Sequence, residues 1–237
     1  MANSRGPIMG IIGAMEEEVE LIRESMRIER QETVSGMTFY QGVLEDRPVV
    51  VVHCGVGKVN AAICAQTLIV RFGAVTIVNT GVAGTLRPDV SIGDIVVSTD
   101  AVQYDMDCTA LGYARGTILY SDMRFFVADP LLRQSAVQAA WRTAEDVDVF
   151  EGRICSGDCF ISDSSQKERL QQEFDGYCCE MEGAAIAQVC TLNDVPFVII
   201  RAISDSADES GRMSYEFFEK QAAHHSASIV CELARLD

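Results

Sequence analysis

Three acidic motifs in this chain could carry acid–base chemistry. Glutamates at 16–18 follow the apolar stretch IMGIIGA, Glu180 and Glu182 precede the small apolar stretch GAAIA, and Asp205 ends the run VPFVIIRAIS. A positioned carboxyl group can transfer a proton or accept hydrogen bonds from hydroxyl groups. Burial at an apolar strand end can raise a carboxyl pKa by ~3 units. The motifs therefore favour a site that works by proton transfer.

The tripeptide Ile-Ser-Asp occurs twice, at 161–163 and at 203–205, and only the second copy ends a long apolar run. Desolvation there would keep Asp205 protonated and able to donate, which makes it the predicted catalytic copy. Asp163 instead leads into a polar stretch, where Asp163 or Ser164 would serve as a helix N-cap. We therefore expect Asp163 to be structural.

Helix termini also account for part of the acidic signal. Attraction to the positive end of a helix dipole explains at least two of the three glutamates at 16–18. N-terminal capping likewise explains one of Glu180 and Glu182. The other is expected to face a cavity and accept hydrogen bonds from hydroxyl groups.

Apolar, β-branched runs alternate with helical patterns along the chain, which predicts an α/β fold. We expect a single three-layer domain over 1–237, with a central mixed, largely parallel twisted sheet flanked by helices, and disorder at 1–7. Ligands in such sheets bind beyond the carboxyl ends of the strands. The segment 105–126 lacks periodicity and is predicted to be a loop or lid. Strands are predicted at 8–14, 37–44, 48–55, 74–81, 92–104, 148–161 and 195–203, the NTGVAG segment (79–84) as a turn, and helices at 15–26, 59–72, 129–145, 180–194 and 214–236.

The composition excludes several classes of partner. The chain has 237 residues and a net charge of -16, from 35 acidic and 19 basic side chains. Phosphate backbones and anionic lipids would repel it, so no nucleic-acid or membrane partner is expected. No apolar run approaches the roughly 18–20 residues of a membrane span.

The nine cysteines indicate reduced thiols in a cytoplasm, because their number is odd and two of them, at 178–179, are adjacent. Only three histidines are present, and Cys155 and Cys159 have no second ligand pair, so no metal is expected. The glycine segments HCGVGKVNAA and NTGVAGTL match neither a dinucleotide nor a triphosphate motif, so no cofactor is expected either.

Seven segments taken together resemble one family. They are IIGAMEEEVELI, GVGKVNAA, NTGVAG, IGDIVVS, SGDCFI, EMEGAAIAQVC and VPFVIIRAISDSAD, in this order between residues 11 and 208. Together they resemble the 5'-methylthioadenosine/S-adenosylhomocysteine nucleosidases, a family with the nucleoside phosphorylase fold. The resemblance implies hydrolysis of the N-glycosidic bond of these adenine nucleosides, with 5'-deoxyadenosine as a further candidate substrate, and gives adenine and the 5-substituted ribose.

The resemblance also assigns roles. It implies that Glu18 activates the attacking water and that Asp205 protonates adenine N7 with support from Ser204. Met181 and Glu182 match ribose contacts, and 160–161 matches the adenine pocket. The full set of substrate-binding residues that it implies is Met15, Val56, Val82, Ala83, Gly84, Phe160, Ile161, Glu180, Met181, Glu182, Ser204 and Tyr215.

Some positions depart from the family pattern. Val82 stands where some relatives have serine, Tyr215 replaces a phenylalanine, and Leu111 stands in the lid where some have phenylalanine. These changes affect the expected preference for the 5' substituent. The resemblance further implies a homodimer in which the lid near Leu111 and Tyr113 reaches the neighbouring site.

Two alternatives remain. A phosphorylase of the same fold would need cationic phosphate ligands at the first strand–helix turn, and the GAMEEE sequence there would repel phosphate. A non-catalytic nucleoside-binding protein would need neither Glu18 nor Asp205. The sequence does not rank methylthioadenosine, adenosylhomocysteine, 5'-deoxyadenosine and 6-amino-6-deoxyfutalosine as substrates.

Overall fold

The apolar runs pair into one mixed sheet between two layers of helices, as a computed structural model of residues 6–143, 147–208 and 210–236 describes. The strands are β1 (Ile8–Gly13), β2 (Arg27–Val34), β3 (Met37–Leu44), β4 (Arg47–His53), β5 (Ala74–Thr85), β6 (Ile95–Gln103), β7 (Phe126–Val127), β8 (Val149–Ser156), β9 (Gly176–Glu180) and β10 (Phe197–Asp205). The α-helices are α1 (Glu16–Ser25), α2 (Lys58–Phe72), α3 (Pro130–Thr143), α4 (Ser164–Phe174), α5 (Gly183–Leu192) and α6 (Gly211–Leu236).

The sheet is open at one side and closed at the other. Strand β1 pairs in parallel with β4 and β5, and β5 pairs in parallel with β10, so four carboxyl ends meet at one edge. Strand β10 also pairs with β6, β6 with β8, β8 with β9, and β9 returns to β5. Five strands therefore close into a small barrel, and the antiparallel β4–β3–β2 set extends the open side.

Each face of the sheet buries an apolar helix stripe. Leu68 of α2 and Ile186 of α5 belong to the core on one face. Ile22 of α1, Ala136 of α3 and Val230 of α6 belong to the core on the other face. Helix α4 packs outside this sandwich against the barrel. The predicted three-layer α/β fold with a central mixed sheet is thus confirmed.

Strand β5 is longer than predicted and passes through the NTGVAG segment, which was expected to be a turn. It continues to Thr85 because β10 pairs with it as far as Gly84, so the backbone stays extended beside its neighbour. The glycines serve close approach instead: a Cβ at Gly81 would collide with Glu18, and one at Gly84 would lie 2.6 Å from Asp205 Oδ1.

Three other segments differ from the sequence-based prediction. The helix expected at 180–194 begins only at Gly183, because residues 176–180 pair with β8 as strand β9. Strand β2 was not predicted, since its side chains are mostly exposed and polar and show no apolar alternation. The predicted strand 148–161 ends at Ser156, and a loop leads from there to α4.

Several expectations fall at the limits of the described chain. The predicted disorder at 1–7 concerns residues 1–5, which lie outside it, and Gly6 and Pro7, which precede β1 as irregular backbone. The single domain over 1–237 stays a prediction. In the part of the chain that the structure describes, no helix is long and apolar enough to cross a membrane.

Helix α4 begins where the first Ile-Ser-Asp copy predicts a cap. Asp163 is the N-cap residue, and its Oδ1 accepts hydrogen bonds from Gln166 N (3.0 Å) and Ser165 Oγ (2.5 Å). We expect Asp163→Ala to lower the melting temperature by about 2–4 °C, as the loss of a capping group does in a chain of this size. Asp163→Asn should melt close to the parent, because asparagine caps as well as aspartate. Equal melting of all three proteins would contradict the capping role.

Candidate active site

A cavity of about 260 Å³ opens at the carboxyl ends of β1, β5 and β10. All the residues predicted to be catalytic or substrate-binding line it except Ile161, which lines an adjoining recess together with Phe160 and Asp205. Two lining residues that the sequence reasoning missed are Ala14 and Cys179. The acidic motifs, far apart in the chain, therefore share one site.

Glu18 turns from the first turn of α1 into this cavity. Its Oε2 accepts hydrogen bonds from Ala14 N (2.6 Å) and Met15 N (3.0 Å), and its Oε1 accepts one from Val82 N (3.0 Å). The side chain is buried, and burial raises its pKa despite the opposing effects of Arg201 and these N–H groups. A raised pKa makes the carboxylate a better proton acceptor.

The other two glutamates of the motif behave as the helix-terminus explanation predicts. Glu16 forms an ion pair with Arg23, its Oε2 lies 3.0 Å from His53 Nδ1, and Glu17 is exposed. Neither lines the cavity. Only the third position of the run points inward, because it completes the capping box of α1 by accepting from Met15 N.

Asp205 ends β10 with its carboxyl group buried at the cavity wall. Oδ1 accepts a hydrogen bond from Ala207 N (2.8 Å), and Oδ2 accepts one from Ser204 Oγ (3.0 Å). Burial raises the pKa of Asp205, and these two hydrogen bonds oppose the rise. The raised pKa favours the protonated acid, which is the form that can donate a proton.

Of the two glutamates before α5, Glu180 caps the helix and Glu182 faces the cavity. Glu180 accepts hydrogen bonds from Glu182 N (3.1 Å) and Gly183 N (2.7 Å) at the start of α5, and from Ser156 Oγ, which itself accepts from Ala184 N (2.7 Å). These bonds satisfy N–H groups that the first helical turn leaves without partners. Both Glu180 oxygens are occupied, so this residue lines the cavity as part of its framework.

Glu182 faces the cavity, and one of its two carboxyl oxygens accepts a hydrogen bond from the protein. Its Oε1 accepts a hydrogen bond from Gly57 N (2.7 Å), at the N-terminus of α2. Burial first, and then the negative charge of Glu180, raises the pKa of Glu182 to about 8. Its Oε2 has no hydrogen bond from the described residues and is free to accept from a ligand hydroxyl.

Arg201 is the functional residue that the sequence reasoning missed. Its guanidinium is buried, and Nη2 donates to Glu180 Oε2 and to Asn79 Oδ1, both at 2.5 Å. Asn79 in turn donates to Ile12 O (2.9 Å). The available signal was an arginine within the apolar strand sequence FVIIRAIS, since a buried cation requires a buried anion.

The remaining wall of the cavity is apolar and lies near its mouth. The rings of Phe160 and Tyr215 meet edge to face at 5.6 Å, and Tyr215 Oη lies 3.3 Å from Met15 Sδ. Val56 and Phe160 are half exposed. Leu111 is exposed and, like Tyr113, does not line the cavity.

The cavity thus presents one carboxylate that can accept a proton, one buried acid that can donate one, and a third carboxylate that can hold hydroxyl groups. Within the described residues, no cluster of three or more His, Cys, Asp or Glu side chains could hold a metal ion. These groups suit the cleavage of a bond between a polyhydroxylated fragment and a proton-accepting leaving group.

Comparison with known proteins shows which family the chain is similar to. Residues 8–235 match the family model described as the phosphorylase superfamily. The chain is 42% identical to the 5'-methylthioadenosine/S-adenosylhomocysteine nucleosidase of Anoxybacillus flavithermus, over 94% of this chain and 95% of that protein.

Solved structures give the same picture. The nucleosidase of the same name from Neisseria meningitidis, in complex with methylthio-immucillin-A, superposes with a TM-score of 0.93 at 39% identity, covering 98% of this chain and all of that one. A futalosine hydrolase of Helicobacter pylori superposes with a TM-score of 0.90 at 33% identity, covering 96% of this chain and 97% of its own.

The raised pKa of Glu182 makes the stability of the protein depend on pH. Between its ordinary value of 4.5 and about 8, this carboxyl group is protonated in the folded chain and ionised in the unfolded one, so its contribution to stability falls as pH rises. We expect Glu182→Gln to raise the melting temperature at pH 8.5 relative to the parent, and to raise it less at pH 5. Thermal melts at both pH values measure this difference, with Glu24→Gln, an exposed site on α1, as the control. A shift independent of pH would contradict the assignment.

Proposed function

The chain belongs to the 5'-methylthioadenosine/S-adenosylhomocysteine nucleosidases of the phosphorylase superfamily, and on that premise we propose that it hydrolyses the N-glycosidic bond of these two nucleosides. The products are adenine and the 5-substituted ribose, and 5'-deoxyadenosine is a further candidate substrate. The observation that carries the proposal is a proton-accepting Glu18 and a proton-donating Asp205 in one cavity.

Glu18 acts on the water. Three backbone N–H groups hold its carboxylate in place, and burial raises its pKa, so it can take a proton from a water molecule as that water attacks the anomeric carbon. The oxygen of the water forms the new bond to the sugar while the bond from the sugar to adenine breaks.

Asp205 acts on the leaving base. Cleavage moves an electron pair onto adenine, and protonation of N7 by the Asp205 carboxyl group neutralises the developing negative charge. Ser204 Oγ fixes the orientation of the carboxyl group, and Gly84 leaves room for it. Phe160 and the Ile161 backbone contact the adenine ring.

The ribose lies between these groups. Glu182 accepts hydrogen bonds from the 2'- and 3'-hydroxyl groups through its unoccupied oxygen, with Met181 beside it. In its ionised form this group also stabilises the positive charge that develops on the sugar. Val56, Met15 and Tyr215 surround the 5' substituent at the cavity mouth.

The charge of the cavity favours water over phosphate as the attacking group. Its described lining includes Glu18, Glu180, Glu182 and Asp205 but no lysine, arginine or histidine. The buried Arg201 is already paired with Glu180. A phosphorylase would need cationic ligands for phosphate, so hydrolysis is the better-supported reaction.

Two other functions remain as competitors. A non-catalytic nucleoside-binding protein has no need of both a buried acid and a held base, so loss of turnover on changing either residue would argue against it. The likeness to a futalosine hydrolase makes a nucleoside with a larger 5' substituent, such as 6-amino-6-deoxyfutalosine, the competing substrate. Steady-state kinetics on the four candidate nucleosides distinguishes these possibilities.

The second Ile-Ser-Asp copy provides the direct test of this function. In phosphate-free buffer with a chelator, the parent should release adenine from 5'-methylthioadenosine. Asp205→Asn should lower kcat by about 100-fold or more, the scale of losing a positioned proton donor. Adenine release is followed by the change in ultraviolet absorbance.

Asp163→Asn is the matched control, because it makes the same change in the same tripeptide at the cap of α4. Its kcat should stay within about threefold of the parent, since no proton transfer to substrate is assigned to Asp163. A strict requirement for phosphate, with ribose 1-phosphate as product, would contradict hydrolysis. A large loss in Asp163→Asn with a small one in Asp205→Asn would reverse the assignment of the two copies.

We further propose that two copies associate through the exposed apolar side of α2. Val59 (70% exposed) and Ile63 (40%) lie one turn apart there, and Leu192 (61%) lies at the end of the adjoining α5. Exposed apolar patches of this kind mark protein–protein interfaces. The family resemblance implies that in such a dimer the lid near Leu111 and Tyr113 reaches the other copy's cavity.

A charged residue in this surface should separate the two copies. We expect Val59→Glu to shift the protein from dimer to monomer in sedimentation velocity and to raise KM, because the neighbouring lid no longer completes the site. Leu131→Glu introduces the same charge at an equally exposed position (73%) on α3, in the opposite helix layer, and should leave the dimer intact. A parent that sediments as a monomer would contradict the proposal.

The proposed location is the cytoplasm. All nine cysteines are free thiols, and most are buried. Reduced thiols are typical of that compartment. The net charge of -16 also speaks against nucleic acid and anionic membranes as partners.

A further inference from the structure

We propose that Lys167, on helix α4, is a positioning residue for Asp205: it holds the peptide unit that binds the Asp205 carboxyl group and places a positive charge behind it. The inference deepens the proposed function and rests on it for the role of Asp205 as the acid. Lys167 lies outside the cavity lining.

One peptide unit joins the two side chains. Lys167 Nζ donates a hydrogen bond to Ser206 O (2.7 Å), and the N–H of that same peptide, Ala207 N, donates to Asp205 Oδ1 (2.8 Å). The carbonyl and N–H of a trans peptide point in opposite directions, so the ammonium group, the peptide dipole and the carboxyl oxygen lie in series. A cation at the carbonyl polarises the peptide and strengthens its N–H as a donor.

The backbone at this point needs such a tether. Ala207 is fully buried and has φ +50°, a left-handed conformation in which the Cβ of an alanine crowds its own backbone. A Cβ at Gly84 would lie 2.9 Å from Ala207 Cβ, so the loop is tightly packed against β5. The ammonium group holds the carbonyl side of this strained turn, and Asp205 holds the N–H side.

Helix α4 aims the lysine at this loop. Asp163 caps the helix, and Lys167 N closes its first turn by donating to Asp163 O (3.0 Å). The first Ile-Ser-Asp copy thus fixes the helix whose lysine reaches the loop after the second copy. The structural role of Asp163 and the chemical role of Asp205 are connected through Lys167.

The charges around Asp205 show what the lysine contributes. Burial and the nearby Asp208 raise the pKa of Asp205, whereas Ala207 N, Ser204 Oγ and the Lys167 cation lower it. On β9, burial raises the pKa values of Cys178 and Cys179 well above the usual range, so both thiols are neutral. The Lys167 cation therefore offsets part of the rise that burial causes in the pKa of Asp205. An acid with a less strongly raised pKa gives up its proton more readily.

The test is a titration of the ligand-free protein. Labelling with carbonyl-13C serine and 15N alanine isolates Ser–Ala peptide units, of which the chain has three, at 135–136, 206–207 and 226–227. The Ala207 amide signal reports the ionisation of Asp205 through their hydrogen bond. We expect Lys167→Met to move its midpoint to higher pH by about half a unit or more, because loss of an opposite charge raises a carboxyl pKa. One limb of the pH profile of kcat/KM should move the same way.

Two matched variants make the result specific. Lys167→Arg keeps the charge and should stay near the parent midpoint. Arg169→Met removes a cation from an exposed position of the same helix and should leave the midpoint unchanged. An unmoved midpoint in Lys167→Met, or an equal shift in Arg169→Met, would overturn the proposal. If the parent failed to release adenine, the proposed function would fall, and the Ala207 titration would still decide the role of Lys167.

Discussion

The buried ion pair between Arg201 and Glu180 is the interaction on which the geometry of the site depends. Arg201 belongs to β10, Glu180 ends β9, and Asn79, the other partner of the guanidinium, belongs to β5. Three strands of the closed barrel are thereby joined at the edge where the cavity opens. Removing one partner of such a pair costs about 3–5 kcal/mol, because the other charge is left buried alone. Since Glu180 also accepts from the first N–H groups of α5, the same pair fixes the start of the helix next to Glu182.

The other three carboxyl groups of the cavity are held by neutral donors. Glu18 accepts from three backbone N–H groups, Glu182 from Gly57 N, and Asp205 from Ala207 N and a serine hydroxyl. Neutral donors orient a carboxyl group without compensating its burial as fully as a bound cation does. Their pKa values are consequently raised, which is the condition for exchanging protons near neutral pH. A site with an arginine for each carboxylate would be equally well ordered and much poorer at proton transfer.

Local chemistry made much of this predictable from the sequence. An apolar strand before Asp205 and a polar stretch after Asp163 separate a buried acid from a helix cap, and the structure has Asp163 at the cap of α4. The small side chains after Glu182 likewise indicated a helix start with one carboxylate turned towards a cavity. Each of these inferences needed only a few neighbouring residues and the periodicity of one element.

The features that the sequence did not predict depend on pairing between strands that are far apart in the chain. Nothing near Arg201 shows that its anion is Glu180, because strand pairing alone brings the two together. The extension of β5 through NTGVAG required knowledge of β10, and the mostly exposed β2 carries no apolar period. Closure of the barrel joins Gly84 to Cys179, a pairing that no local pattern encodes.

That closure also has a consequence for how the protein is made. The cavity combines residues of α1, such as Glu18, with residues of β9 and β10, which are synthesised much later than α1. Non-local strand pairing forms slowly, because the chain must lose the entropy of closing a long loop before any stabilising contact forms. A nascent chain can fold its first hairpin early, but it lacks both Asp205 and the buried Arg201 until β10 is released. The complete cavity thus appears only after β10 has been synthesised, and a chain truncated before β10 cannot form it.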